Sequence, residues 1–217
     1  MSTISTITGA TLTTMADQKI LGTASSTSTQ PTETAIVQWL NDAQYEIIRR
    51  IDPFLIPMLI QEYTPTTASA AVKTALPTNF FKLLSAYDTS SGATRPLKLI
   101  DMFTMATIKS GVLTNYTTTD YLVSLGNDGT NDVFFYYPST DPAKKTFIII
   151  IKPTTITTTG TETVSLADDL CPLLVDYAVI QSKMQAEELE QYMNYMNWWY
   201  KRVQDINIMA LHREQII

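Results

Sequence analysis

Apolar residues early in the chain recur at three- and four-residue steps through Ile36, Trp39, Leu40, Ala43, Ile47 and Ile51, the period of one helix face. Pro31 suits a first turn and Glu33 complements the positive N-terminal end, while the residue before Pro53 disfavours helical geometry. The pattern predicts an amphipathic helix over about 31–52, with Arg49 and Arg50 in its last turn, where cations suit the dipole. Between about 60 and 160 the pattern changes. "LIQEY", "LPTNFFKLLSAYD", "YLVSL", "DVFFYYP" and "KTFIIIIKP" are rich in β-branched and aromatic residues and are separated by turn-forming stretches, so they read as strands. One helical interval interrupts them, at Ile100, Phe103 and Ile108, with Gly111 as its stop. The last three segments, joined by "GNDGTN" and "STDPAK", are expected to form a hairpin or small antiparallel sheet. The Gly-Asn-Asp-Gly stretch lacks the alternating spacing and distal glutamate of a calcium loop, so it reads as a turn.

From about residue 167 the chain is helical again. Ser165 or Asp168 can cap the start, and almost fifty residues follow without a glycine. Leu170, Leu173, Leu174, Tyr177, Ile180 and Met184 share one face. Further on, Tyr192, Met193, Tyr195, Met196, Trp199, Tyr200, Val203 and Ile206 share another, offset from the first by roughly a quarter turn at the 3.6-residue period. A break is therefore expected between Met184 and Glu188, with Glu187, Glu188 and Glu190 as first-turn acids and Ser182 with Gln185 as a loose capping box. Around "MNYMNWWYKR" the broad face takes Tyr192, just before the stretch, with Met193, Tyr195, Met196, Trp199 and Tyr200 into the core. Trp198 falls opposite, among Asn194, Lys201, Arg202 and Asp205.

Residues 1–30 have no such periodicity. They are dominated by Ser and Thr and bury too little alone to offset ordering entropy. The expectation is a disordered leader, or an arm that adds "STISTIT" and "ATLTT" as strands to a partner, and in either case removal of residues 1–28 is expected to spare folding.

Composition narrows the function. At 217 residues and 45% hydrophobic content the chain can bury a full core. A net charge of -6 argues against general nucleic-acid binding, which needs a basic face. The start "MSTISTITGA" has no basic n-region or continuous apolar h-region, so no signal peptide is expected. "FIIII" is far below the roughly 20 apolar residues that span a bilayer. One cysteine, Cys171, allows no internal disulfide; among Leu170, Leu173 and Leu174 it reads as a buried small apolar residue. The sequon at Asn115 reads as chance. The only histidine, His212, has no nucleophile motif beside it, and no phosphate-binding glycine loop or HExxH appears. No catalytic residue, cofactor or metal is predicted. The candidate contact residues are Trp198, Lys201, Arg202, Arg49 and Arg50.

The order of segments carries a resemblance. "TAIVQWLNDAQYEIIRRIDP", "LPTNFFKLLSAYD", a β-rich middle ending "FFYYP", and "VSLADDLCPLLVDYAVIQSKMQAEELEQYMNYMNWWYKRV" together resemble the head-to-tail adaptors of tailed bacteriophages, the group containing tail tubular protein A and tail accessory factors. The likeness covers about residues 31–210. It implies a structural virion protein without catalysis: a dodecameric ring that contacts the portal protein on one side and a tail or nozzle protein on the other. DNA would pass through such a ring without sequence-specific binding, and no membrane is involved. The expected fold is α+β, a helical bundle of N- and C-terminal helices (about 31–52 and 167–210) with a β-rich insertion (about 60–160). Residues 1–30 would be an arm and 31–217 a single adaptor domain, made in the host cytoplasm. The readings set against this are another virion part, such as a head-completion protein or tail-nozzle subunit, and a carbohydrate-binding surface module suggested by threonine-rich strands and tyrosines.

Overall fold

A computed structural model describes residues 5–26, 29–65, 73–90, 92–113, 115–117, 119–138 and 144–214, with the side chains of the last helix described as far as Met209. The fold is α+β. Among the described residues there are five α-helices: α1 (Gly9–Ile20), α2 (Glu33–Arg50), α3 (Met102–Lys109), α4 (Cys171–Gln185) and α5 (Leu189–Glu214). The strands are β1 (Ile60–Tyr63), β2 (Lys73–Ala75), β3 (Phe80–Asp88), β4 (Arg95–Pro96), β5 (Lys98–Leu99), β6 (Leu122–Asn127), β7 (Asp132–Tyr137) and β8 (Lys145–Ile151). Internal contacts divide the chain into two compact units, one of residues 1–59 with 152–217, the other of residues 60–151.

The first unit is arranged around α4. Its buried residues Cys171, Leu173, Leu174, Val175, Ala178 and Ile180 spread over roughly 220° of the helix rather than a single stripe, more than one neighbour can cover. Three helices, α1, α2 and α5, pack against it. α2 contributes Ile36, Leu40, Ala43 and Ile47; α5 contributes Met196, Trp199 and Val203; α1 contributes Leu12 and Ala16. The leader is thus corrected. "ATLTT" is helical rather than extended, because Val175 and its neighbours leave an apolar side of α4 that α1 covers. The threonines are compatible with this helix: Thr8 caps it by accepting from the Thr11 amide, and Thr13 and Thr14 donate to the carbonyls of Gly9 and Ala10. Residues 1–4, at the start of "STISTIT", and 27–28 lie outside the described residues.

The loop before α4 ties the unit together. Ile7 accepts from the Val164 amide, and the Gly9 and Ala10 amides donate to the carbonyls of Glu162 and Gly160. Gly160 has φ +61°, and a Cβ there would collide with the Ala10 backbone, so only glycine fits. Asp168 does not cap α4. Its carboxylate accepts from the Ser5 hydroxyl at 2.8 Å and from the Thr6 amide and hydroxyl; these bonds, the Ser5 hydroxyl foremost, hold its pKa below the usual carboxylate value. The Ser165 hydroxyl likewise turns to the Thr154 amide, and the short helical turn leading into α4 has no side-chain cap. On the other side, Asn41 of α2 bonds both the amide and the carbonyl of Ile156.

The expected helix break lies between Gln185 and Leu189. Glu188 donates its amide to Lys183 and Glu187 donates to Met184, the paired bonds of a Schellman turn, with Glu187 at φ +62° where glycine is usual. The Ser182 hydroxyl bonds back to Val179 within α4 rather than forming a capping box. The break puts Met184 outside: it is exposed, not part of the core face predicted for it.

The second unit holds two sheets rather than the single small sheet expected. Their strand orders are β1-β8-β3-β4 and β2-β7-β6-β5. β6 and β7 form the predicted hairpin through the turn at Gly129, but β8 leaves them to lie between β1 and β3. The reason lies in "KTFIIII", which lacks the alternation of a strand wetted on one side and is buried almost throughout. The "STDPAK" linker falls largely outside the described residues. The sheets meet through Leu83, Ala86, Phe147 and Ile149 on one side and Val123, Phe134 and Tyr136 on the other. Phe134 and Phe147 stack with centroids 4.2 Å apart. Helix α3, capped by Asp101, places Met105 and Ile108 over Leu122.

Beside this core Lys145 and Asp88 face each other in the β3–β8 register and form an ion pair with side chains 1% and 0% exposed. The ammonium also lies 4.7 Å from the Tyr136 ring centroid. Burial pushes Asp88 upward, but the bonds from Lys145 and Ser90 outweigh it and hold its pKa below the ordinary value. Because the folded-state pKa is depressed, this stabilisation is present above the unfolded value of about 3.9 and is lost as pH falls through the folded value.

Two outcomes follow. Leu12→Ala lowers the unfolding free energy by about 2–5 kcal/mol, and removal of residues 1–28 destabilises the helical unit instead of sparing it; urea titration followed by circular dichroism measures both. Lys145→Met, which strands the Asp88 carboxylate, costs roughly 3–5 kcal/mol, whereas Lys145→Met with Asp88→Leu recovers most of it. The single variant also loses the part of the acid sensitivity that the pair supplies, read from urea midpoints between neutral and acid pH.

Candidate interaction surface

All five residues predicted for contacts lie in the helical unit, and α5 divides them into two groups. At the 3.6-residue period, Trp198 and Tyr200 point about 160° apart on the helix. On the Tyr200 side sits the end of α2. The Arg50 guanidinium lies 4.3 Å from the Tyr200 ring centroid, and Arg49 and Arg50 both bond the Glu46 carboxylate, at 2.7 and 3.1 Å. Asn207 of α5 closes this end by accepting from the Asp52 amide and donating to the Arg50 carbonyl. The arginine pair is therefore engaged within the chain, with Arg49 beside a shallow recess lined by Asp42, Tyr45, Glu46 and Tyr177. Burial, and then the charges of Glu46 and Asp42, push the Tyr177 hydroxyl up to about 12, so it stays a neutral donor.

Trp198 and Arg202 form the other group. Trp198 is 49% exposed, with the Arg202 guanidinium 5.3 Å from its ring centroid. Arg202 is itself held by Asp176 Oδ2 at 2.6 Å, while Lys19 takes Oδ1 of the same carboxylate at 2.9 Å. One acid of α4 thus ties α1 to α5 and fixes the cation beside the tryptophan. Lys201 is exposed on the neighbouring position. Asp176 and Lys19 escaped the sequence reading because their partners lie 26 and 157 positions away, beyond any local pattern.

The neighbouring tryptophan is the opposite case. Trp199 is fully buried, donates Nε1–H to the Leu173 carbonyl at 2.9 Å and meets Tyr177 and Tyr200 edge-on. The core face of α5 is narrower than predicted, however. Met196, Trp199 and Val203 are buried and Tyr192 and Tyr200 partly so, but Met193 and Tyr195 are 57% and 47% exposed. With α4 already covered on its other sides by α1 and α2, α5 needs only one contact stripe, and residues at the margins of its broad apolar arc stay in solvent.

Cys171 is buried and unpaired, and burial pushes its thiol up to about 11, so it is a packing residue. Among the described residues no three His, Cys, Asp or Glu side chains are grouped to hold a metal ion, and no helix is long and apolar enough to cross a membrane. The surface offers aromatic and apolar side chains with anchored charges, which suits contacts between proteins.

A family model described as SU10 adaptor protein matches residues 2–214. No curated protein matches the chain.

The two tryptophans separate packing from contact. Trp199→Ala lowers stability by roughly 3–5 kcal/mol, while Trp198→Ala leaves the urea midpoint almost unchanged; global unfolding of the Trp198 variant would deny it a surface role.

Proposed function

The chain belongs to the SU10 adaptor protein family, and from that premise we propose that it forms the ring joining the portal vertex of a phage head to its tail. The coarse part of this reading rests on the family itself: an adaptor-type structural component of a phage virion. The finer part is that copies assemble into a dodecamer around the DNA path, with the portal protein on one side and a tail or nozzle protein on the other. The match over residues 2–214 carries the proposal, since it spans both units rather than one.

Physical considerations support the finer reading. A net charge of -6 suits a channel wall along which DNA slides, because like charge shortens residence on the surface. A rotational ring needs side-to-side contacts between different faces of identical subunits, and α5 presents apolar side chains on both of its flanks. The helices supply the ring body and the two-sheet unit faces the tail component.

Native mass spectrometry and negative-stain electron microscopy of the purified chain, alone and with portal protein, test the proposal. Dodecameric rings, formed alone or on the portal, are expected. A monomer that neither assembles nor binds portal overturns it.

A further inference from the structure

Strand β8 carries little in its own apolar pattern to fix where it stops along its neighbours. Phe147 is followed by Ile148, Ile149, Ile150 and Ile151, and the strand is buried almost throughout. A one-residue shift along β3 would turn Phe147 away from the face it shares with Ile149 in the core. A two-residue shift keeps every face and sets isoleucine in the place of isoleucine. Hydrogen bonding does not choose between these alignments, because the β3–β8 ladder already changes register twice, between Phe80 and Lys82 and between Leu83 and Ser85.

The Lys145–Asp88 pair does distinguish them. The two residues are directly opposite in the observed register, with Ala86 opposite Phe147 and Ser85 opposite Ile148. A two-residue shift in one direction sets Phe147 against Asp88, and in the other it sets Lys145 against Ala86. Either shift moves the ammonium about 7 Å along the strand. Two side chains that are 1% and 0% exposed then lose each other's charge. The pair is also placed from both sides. The Ser90 amide and hydroxyl donate to Asp88 Oδ1, Lys145 donates to Oδ2, and the ammonium lies over the Tyr136 ring of the other sheet. Stability alone does not account for such a pair, since apolar residues in its place are often neutral or stabilising.

We propose that the Asp88–Lys145 pair is a register lock: it specifies one alignment of β8 on β3 and discriminates against alignments shifted by two residues. This role is independent of the ring reading. Another fixed mark on the strand is Phe147, stacked on Phe134, and the experiment separates the two.

Cysteine trapping in the full chain reads the alignment. Ser85→Cys is combined in turn with Ile148→Cys, which reports the observed register, and with Ile150→Cys or Thr146→Cys, which report the two shifts. In the observed register the last two pairs are diagonal neighbours, outside good disulfide geometry, and the native Cys171 is buried. Links formed on mild oxidation are counted by mass spectrometry, with the ion pair intact and with Asp88→Leu and Lys145→Met together. With the pair intact, the 85–148 link alone is expected, and shifted links there overturn the lock. In the apolar background the 85–150 or 85–146 link is expected to rise at least about tenfold, while circular dichroism and the urea midpoint stay near those of the wild type. An apolar background that still gives the 85–148 link alone overturns the proposal. Loss of folding in that background also overturns it, because the pair is then a stabilising contact and not a register mark. Phe134→Leu with the ion pair intact is expected to keep the 85–148 link alone; shifted links in equal yield would assign the register to the ring stack instead.

Discussion

Helix α4 is apolar over more than half of its circumference, and the helical unit exists to cover it. A helix with one apolar stripe needs a single neighbour, whereas one with Leu173, Leu174, Val175, Ala178 and Ile180 spread over roughly 220° needs several or remains unfavourably hydrated. α2 and α5 cover two sides, and α1 takes the third. The composition of α1 would not sustain a helix alone, because its threonines have weak helix propensity. It is helical because an apolar surface waits for Leu12 and Ala16 and because Asp168 and the Gly160 loop hold its leading end.

Polar groups then fix what hydrophobic burial leaves free. Apolar packing determines which helices meet but is tolerant of sliding, and Asp176 removes that freedom by accepting Lys19 from one neighbour and Arg202 from another. At the opposite end of the contact, Asn207 and Arg50 lock α5 to the end of α2. Trp198 is thereby held in a definite position beside the Arg202 guanidinium although about half of it stays in solvent. Binding loses less entropy when the side chains that make the contact are already placed.

Much of this was legible in the sequence where the determining forces are local. The 31–52 helix, the break after Met184, the β6–β7 hairpin, the buried Cys171 and the opposite fates of Trp198 and Trp199 all follow from periodicity and turn chemistry within a few residues. What stayed hidden depends on distant partners. α1 looks like a disordered leader because the surface it covers is encoded more than a hundred residues later; β8 looks like the third strand of a meander because its partners β1 and β3 precede it. Met193 and Tyr195 fit an apolar arc, but how much of that arc is buried depends on how many sides of α4 were already taken. Among the exposed apolar residues of α5, Trp198 stands out in the sequence by lying on the polar face, whereas Leu189 resembles any helix-start leucine.

The helical unit is discontinuous, built from residues 1–59 and 152–217, and Ser5 meets Asp168 across 163 positions. On the ribosome this separation becomes time. The β-rich unit is complete in sequence once Ile151 has emerged, whereas α1 and α2 are synthesised first and wait for α4, the helix that both of them cover. During that interval Leu12, Ala16, Ile36 and Leu40 have no α4 to pack on, so the early chain is at its most vulnerable to aggregation and to chaperone capture. Because α5 follows α1, α2 and α4 along the chain, the flanks that carry Trp198 and Leu189 take shape only when those helices are ready to fold.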